Sequence, residues 1–238
     1  MRTLIFDISG EYALFKKPYS PMSPVSYPLP PPPTVLGILG AVLGYDKTNY
    51  HQRLNYENVR IGVALRQPTR VYRAALNLLQ TKTGTDSFFR PLAAENTHTQ
   101  VPCEFLRQPE FRLYISGLET EIADDLAARL QTGRSAYTVT LGWANCFAEL
   151  TWVGEATAQP LVANEWQAAT AVPLAAGVQI HYDDRRRYHR QRIPVVMNGE
   201  RIVSRYQEIV LAEDGQSIRG HGGAGVLYAI DSTTIAFL

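Results

Sequence analysis

The sequence predicts an α+β fold: a ferredoxin-like, split-βαβ domain over residues 1–159 with a β-hairpin arm inserted at about 67–108, followed by a small β-rich subdomain over 160–238. Three observations predict it. The 238 residues are 45% apolar and 19% charged, enough apolar material for a sizeable core and too little charge for a disordered chain. The periodicities run strand, helix, strand, arm, strand, helix, strand. Beyond Pro160 they give way to short β-like runs punctuated by turn signals.

Residues 3–8 (TLIFDI) form the first strand, which continues through Tyr12 and Phe15 after a break at Gly10. Eight of the 15 prolines then fall between Pro18 and Pro33. Proline lacks an N–H and holds an extended backbone, so this stretch is a stiff connector. Thr34 is the expected N-cap of a helix ending near Gly44, with Val35, Ile38, Leu39, Val42 and Leu43 as its apolar positions. Gly37, Gly40 and Gly44 cost helix stability, so their benefit is close approach of another backbone. Residues 49–57 predict a second short helix and 59–66 a strand. The arm consists of β-compatible runs at 69–79 and 100–106 around a polar tip at 81–86, and 110–116 (EFRLYIS) is a further strand.

The helix over 119–131 carries one stripe of Ile122, Leu126 and Leu130, flanked by Ala123 and Ala127. Four acids occupy its first turns, near the positive dipole end, and Gly133 stops it. Residues 147–153 alternate as the last strand of the first domain. In the second, 177–182, 192–197, 202–211 and 226–230 are β-like, with turns at Asn198-Gly199 and Asp214-Gly215.

Several function classes are disfavoured. Cys103 and Cys146 lie far apart, which predicts neither a disulfide framework nor a zinc site, and their strand-like surroundings argue against nucleophiles. No G-x-S-x-G elbow occurs. Histidines 51, 98, 181, 189 and 221 share no ligand spacing, and three arginines follow Asp183-Asp184 and compete for those carboxylates. No metal or cofactor is expected. Asp7 and Glu11 interrupt any leader-peptide core, and no apolar run approaches the roughly 20 residues that span a bilayer, so the expectation is a cytoplasmic protein.

RNA suits the remaining features better. The net charge is only +1, but 19 of the 23 basic residues are Arg, whose planar fork pairs with phosphates and stacks on bases; Arg-biased codon usage explains the same skew. Tyr12, Phe15, Lys16, Lys17 and Tyr19 interleave aromatics and cations beside the helix at Thr34, whose N-terminus would bind a phosphate while the rings stack bases. The plainer alternative is core aromatics and solvated lysines. Residues 185–192 hold five arginines in eight positions, which suit a nucleic-acid backbone or an acidic protein equally. The run 220–225 (GHGGAG) reads as an anion-accepting nest or a flexible turn.

Longer blocks carry a resemblance: FDISGEYALFKKPYS (6–20), YPLPPPPTVLGILGAVLGY (27–45), HTQVPCEFLRQPEFRLYI (98–115) and TGRSAYTVTLGWANCFAEL (132–150). Taken in order, they resemble the opening strand, the proline-led glycine-punctuated helix, the returning arm and the G-x-S-x-Y…LG block of the Cas-five family of CRISPR-associated proteins, in the RAMP superfamily. The similarity is greatest to B-type members of type I systems. Here Pro32-Pro33 stand where many relatives carry a basic residue.

The resemblance implies an RRM/RAMP-type fold and a non-catalytic subunit of the Cascade surveillance complex. Such a subunit caps the 5′ handle of the crRNA, lays its arm on a Cas-seven-type backbone subunit, anchors the large PAM-reading subunit, and meets target DNA only through the complex. The implied RNA-binding residues are Tyr12, Phe15, Lys16, Lys17, Tyr19, Thr34, Val35, Gly37, Arg73, Asn77, Gln100, Arg134, Tyr137, Arg219 and His221. The handle is expected across the start of the Thr34 helix, between 12–17 and 134–137. The alternative is a metal-independent endoribonuclease, as in C-subtype relatives, using a cluster such as Tyr12, Lys16 or His51.

Overall fold

A computed structural model describes residues 1–54, 57–79 and 98–238. Its centre is a four-stranded sheet in the order β3 (Arg60–Leu65), β6 (Glu110–Ser116), β1 (Arg2–Ser9), β7 (Glu149–Thr157). Every neighbouring pair in it is antiparallel. Helices α1 (Pro32–Leu43) and α3 (Thr120–Gln131) pack on one face, and the short α2 (Tyr50–Arg53) lies beside α1. The architecture is α+β, consistent with a ferredoxin-like fold.

Alternation along β1 explains the layering. Leu4, Phe6 and Ile8 point to the helical face and are almost wholly buried. There they meet Val35, Leu36 and Leu39 of α1 and Leu126 and Leu130 of α3 in the main core. Ile5, Ala64, Tyr114 and Ala156 form the opposite row, covered by Tyr228, Ile230, Ile235 and Phe237 from β15 (Leu227–Ile230) and β16 (Thr233–Ala236) and the segment after it.

The N-cap of helix α1 lies three residues before the expected Thr34. Pro31 is its N-cap, and Pro32 and Pro33 fill its first two positions. That follows from proline chemistry, since a fixed φ suits the first turn and the missing N–H costs nothing there. The helix ends at Gly44 (φ 82°), whose N–H and that of Tyr45 both reach the Gly40 carbonyl. Gly40 is needed for packing: a Cβ there would lie 3.1 Å from Tyr50 Cβ of α2. The predicted helix over 49–57 is thus short, and residues 55–56 lie outside the described set.

The arm is β4 (Val71–Leu79) paired antiparallel with β5 (His98–Arg107), from Val71 opposite Leu106 to Leu79 opposite His98. At its root β5 also pairs with β2 (Tyr12–Ala13). The polar tip at 81–86 lies outside the described residues.

Residues 160–238 are β-rich. The long hairpin of β12 (Tyr188–Met197) and β13 (Val203–Ala212) sends Ile193, Val195, Ile209 and Leu211 into the main core, while Val210 and Ala212 enter a second cluster with Trp166 and Ile218. Asp214-Gly215 forms the expected turn, clamped by Arg186, which binds both Asp214 oxygens at 2.8 Å. The glycine-rich run departs from expectation. Gly220 and His221 lie inside β14 (Ile218–Gly222), where a Cβ on Gly220 would lie 2.3 Å from the Trp166 ring. The Gly222 N–H donates to Asn164 and its carbonyl accepts from Trp166 Nε1. These glycines make room for an indole, and that part of the run offers no anion nest.

Two stability outcomes follow. Leu39 is fully buried, so Leu39→Ala should cost about 2–5 kcal/mol in denaturant unfolding. His189 on β12 has a buried Nε2 without a partner among the described residues. Desolvation holds its pKa below the ordinary 6.5, with Lys17 adding to the shift and Glu213 opposing it. The folded state therefore binds this proton less readily than the unfolded state. Its stability is complete above about pH 6.5 and falls as pH drops through the lowered value. Melting scans from pH 7.5 to 5.5 should show a steeper loss for wild type than for His189→Gln.

Candidate nucleic-acid interface

A cleft of about 480 Å³ runs along the outer face of α1. Thr34, Gly37, Ile38 and Ala41 form its floor, the i, i+3, i+4, i+7 stripe that a helix presents on one side. A Cβ on Gly37 would have nothing within 4 Å, so the glycine keeps this floor flat. One wall is Lys16, Pro18 and Tyr27, and a second is Thr138 and Thr140. The β12–β13 hairpin closes the third side with Met197, Arg201 and Tyr206. Its turn is built by Asn198, whose side chain accepts from the Glu200 and Ile202 N–H groups, and it lies so close to α2 that a Cβ on Gly199 would fall 2.5 Å from His51 Nε2.

The walls are aromatic and cationic. Lys17 Nζ donates to Gln191 at 3.1 Å and lies 5.4 Å from the Tyr27 ring centre and 6.0 Å from that of Tyr19. The Arg192 guanidinium sits 5.0 Å over the Tyr206 ring. Burial, helped by Tyr206 and Tyr19, pushes the Tyr27 phenol up to about 12, so it stays protonated. Tyr27 and Lys17 are buried, so the ring open to a planar base is that of Tyr206 and the cation open to a phosphate is Lys16.

The expected site residues divide. Lys16, Thr34 and Gly37 meet at the cleft. Phe15 reaches its lining, but its ring is 2% exposed and packs on Phe111 at 5.8 Å, leaving no face for a base. Val35 is wholly buried, and Lys17 is held beneath the rings with 9% exposure. Tyr12 packs against Tyr72 and Phe105. Tyr19 is 73% exposed, next to Pro18 of the wall. Arg134 and Tyr137 lie outside the lining, which Thr138 and Thr140 supply; the Tyr137 N–H bonds to Ala41, near the end of α1. Arg73 pairs with Glu104, and Asn77 stands opposite Gln100 on the arm. Arg219 and His221 sit on β14, where His221 Nδ1 is 2.7 Å from His181 Nε2.

The expected helix N-terminal phosphate site is corrected outright. Its donors are missing: residues 31–33 are prolines, and the Thr34 and Val35 N–H groups both bond to the Pro31 carbonyl. Sequence reasoning also missed Tyr27 and Tyr206. Tyr27 directly precedes the proline run and was visible there; Tyr206 reaches α1 only through the packing of the β12–β13 hairpin.

Two of the five arginines of the run are neutralised by carboxylates. Arg186 is bound by Asp214, Arg190 by Glu208 at 3.0 Å, and Arg192 is stacked. Burial raises the pKa of both cysteine thiols, away from the thiolate. Among the described residues, no group of three or more His, Cys, Asp or Glu could hold a metal ion, and no helix is long and apolar enough to cross a membrane.

Comparison with known proteins places this geometry. A CRISPR protein from Archaeoglobus fulgidus has a similar fold at 14% identity and TM-score 0.58, covering 100% of this chain and 99% of its own. A chain of a CRISPR RNA-guided surveillance complex matches at 12% identity and TM-score 0.55, over 91% of each chain. A chain of the type III-B Cmr-beta complex bound to cognate target RNA matches at 11% identity and TM-score 0.54, over 92% of this chain and 86% of its own. No curated protein sequence matches significantly. The family model described as CRISPR-associated protein (Cas_Cas5) matches residues 3–209. The chain therefore belongs to the Cas5 family of CRISPR-associated proteins.

Proposed function

We propose that the protein is a non-catalytic crRNA-binding subunit of a type I Cascade complex, of the B type, which seats the 5′ handle of the crRNA in the α1 cleft. The observation that carries the reading is the flat glycine floor of α1 between the exposed Lys16 and the partly exposed ring of Tyr206. A base stacks on an aromatic wall, the sugar-phosphate backbone approaches Gly37 without meeting a side chain, and Lys16 neutralises a phosphate. Family membership and the likeness to a surveillance-complex chain support the assignment, as does a sheet order that fits the split-βαβ arrangement of RAMP proteins.

The rest of the molecule faces partners. Val71, Tyr72, Leu78 and Leu79 on the arm are substantially exposed, apolar surface that suits burial against a Cas-seven-type backbone subunit. The large PAM-reading subunit docks on the same assembly, in the cytoplasm, and target DNA is met only there. No cofactor takes part. The endoribonuclease alternative is disfavoured by geometry. General acid–base cleavage needs two groups at one phosphate, yet Lys16 lines the α1 cleft, Tyr12 lines a separate groove, and His51 lies against the Gly199 turn.

Lys16→Ala should weaken binding of handle RNA and reduce the slope of log K against log salt by about 0.7, the share of one single-strand phosphate contact. Gly37→Leu should block binding by filling the floor. Gly37→Ala should stabilise the protein by about 0.5–1 kcal/mol while weakening handle binding, a split readable by melting and anisotropy. Precursor crRNA incubated with the purified protein should remain uncut on a denaturing gel, with or without divalent metal; specific cleavage at the repeat would overturn the non-catalytic reading.

A further inference from the structure

We infer that the RNA does not end at the α1 cleft but continues past Tyr206 into a second, arginine-lined groove between the start of β3 and the open end of β13. The inference rests on the α1 cleft being the seat of the handle. A groove of about 520 Å³ is lined by Glu57, Val59, Arg60, Arg205, Tyr206 and Gln207 together with the C-terminal Phe237 and Leu238. Tyr206 lines both this groove and the cleft, so one ring is a wall shared by the two.

The strand pattern explains how the groove arises. On β13, Leu211 and Ile209 are buried in the main core. The same row continues to Gln207 and Arg205, where β10 (Val172–Pro173), which pairs only with Ile209 and Val210, no longer covers the strand. Arg205 and Gln207 line the groove together with Val59 and Arg60 at the start of β3.

Arginine side chains without a carboxylate partner stand in the cavities on both sides of Tyr206. Arg186 and Arg190 are cancelled by carboxylates. Arg201 and Arg205 have no ion-pair or hydrogen-bond partner among the described residues, and one lines each cavity on either side of Tyr206. Arg60 is fixed by a hydrogen bond to the Tyr228 hydroxyl, its guanidinium 5.6 Å from that ring, and Glu57 is already engaged. Two unneutralised cations flanking an exposed ring match a ligand that alternates phosphates with planar bases, the arrangement by which proteins hold single strands without reading sequence. An acidic protein segment would use the arginines but not the shared aromatic wall.

The test compares RNA oligomers of about four and about ten nucleotides from the 5′ end of the crRNA, lengths within the span of one single-strand-binding module, by anisotropy on the full chain across a salt series. The longer oligomer should bind more tightly and with the steeper slope. Arg205→Ala should lower that slope by about 0.7 and leave the short oligomer unchanged, and Arg205→Lys should restore it; melting curves check that both variants fold. If Arg205→Ala binds the long oligomer with the wild-type slope while the short one still binds in a Lys16-dependent way, the groove is not part of the path and the cleft reading stands. If wild type binds neither oligomer, both readings fall.

Discussion

Helix α1 is held against the sheet at three points, and the functional surface exists because all three hold. Its apolar side, from Val35 to Leu43, is buried on the β1 row of Leu4, Phe6 and Ile8. Its start is a run of prolines that needs no donors satisfied, and its middle is pinned where Gly40 admits the Tyr50 side chain. With one side committed to the core and another to α2, only the stripe through Thr34, Gly37 and Ala41 stays open. Each of those residues is small, so the open stripe is a floor rather than a ridge.

How much of this was legible depended on the range over which the signal acts. The α3 stripe of Leu126 and Leu130 and the β1 alternation were readable because a single element's period decides them. Lys16, Thr34 and Gly37 were readable because they cluster in sequence around the proline connector. The N-cap was misplaced because side-chain capping preference was weighed above what proline does at a first turn. Phe15 looked like a stacking platform because a sequence does not tell which side of a short segment faces the core. Tyr206 and Arg205 were illegible, since they reach α1 and β3 only by a hairpin folding back over some 170 residues of intervening chain.

The arginines illustrate the same limit. Five within eight residues read as one basic surface, but three of them are drawn off to separate partners, Arg186 to an Asp214 clamp, Arg190 to Glu208 and Arg192 to the ring of Tyr206. Density of charge along a chain is therefore a poor guide to potential at a surface. Among the cations without an ion-pair partner, Lys16, Arg201 and Arg205 come from separate segments and are brought together only by the fold.

The sheet order carries a consequence for biosynthesis. Strand β1 lies in the middle of the sheet between β6 and β7, and the terminal ammonium of Met1 donates to the Ala158 carbonyl at 2.6 Å. Strand β1 thus leaves the ribosome with both of its neighbours more than 100 residues downstream. At translation rates of about 5–20 residues per second, it waits on the order of ten seconds for its second partner. Until β6 emerges the strand is present with two open edges, and until β7 emerges with one, the state in which strands recruit foreign chains, so the nascent polypeptide is most vulnerable to misassembly well before the sheet beneath α1 is complete.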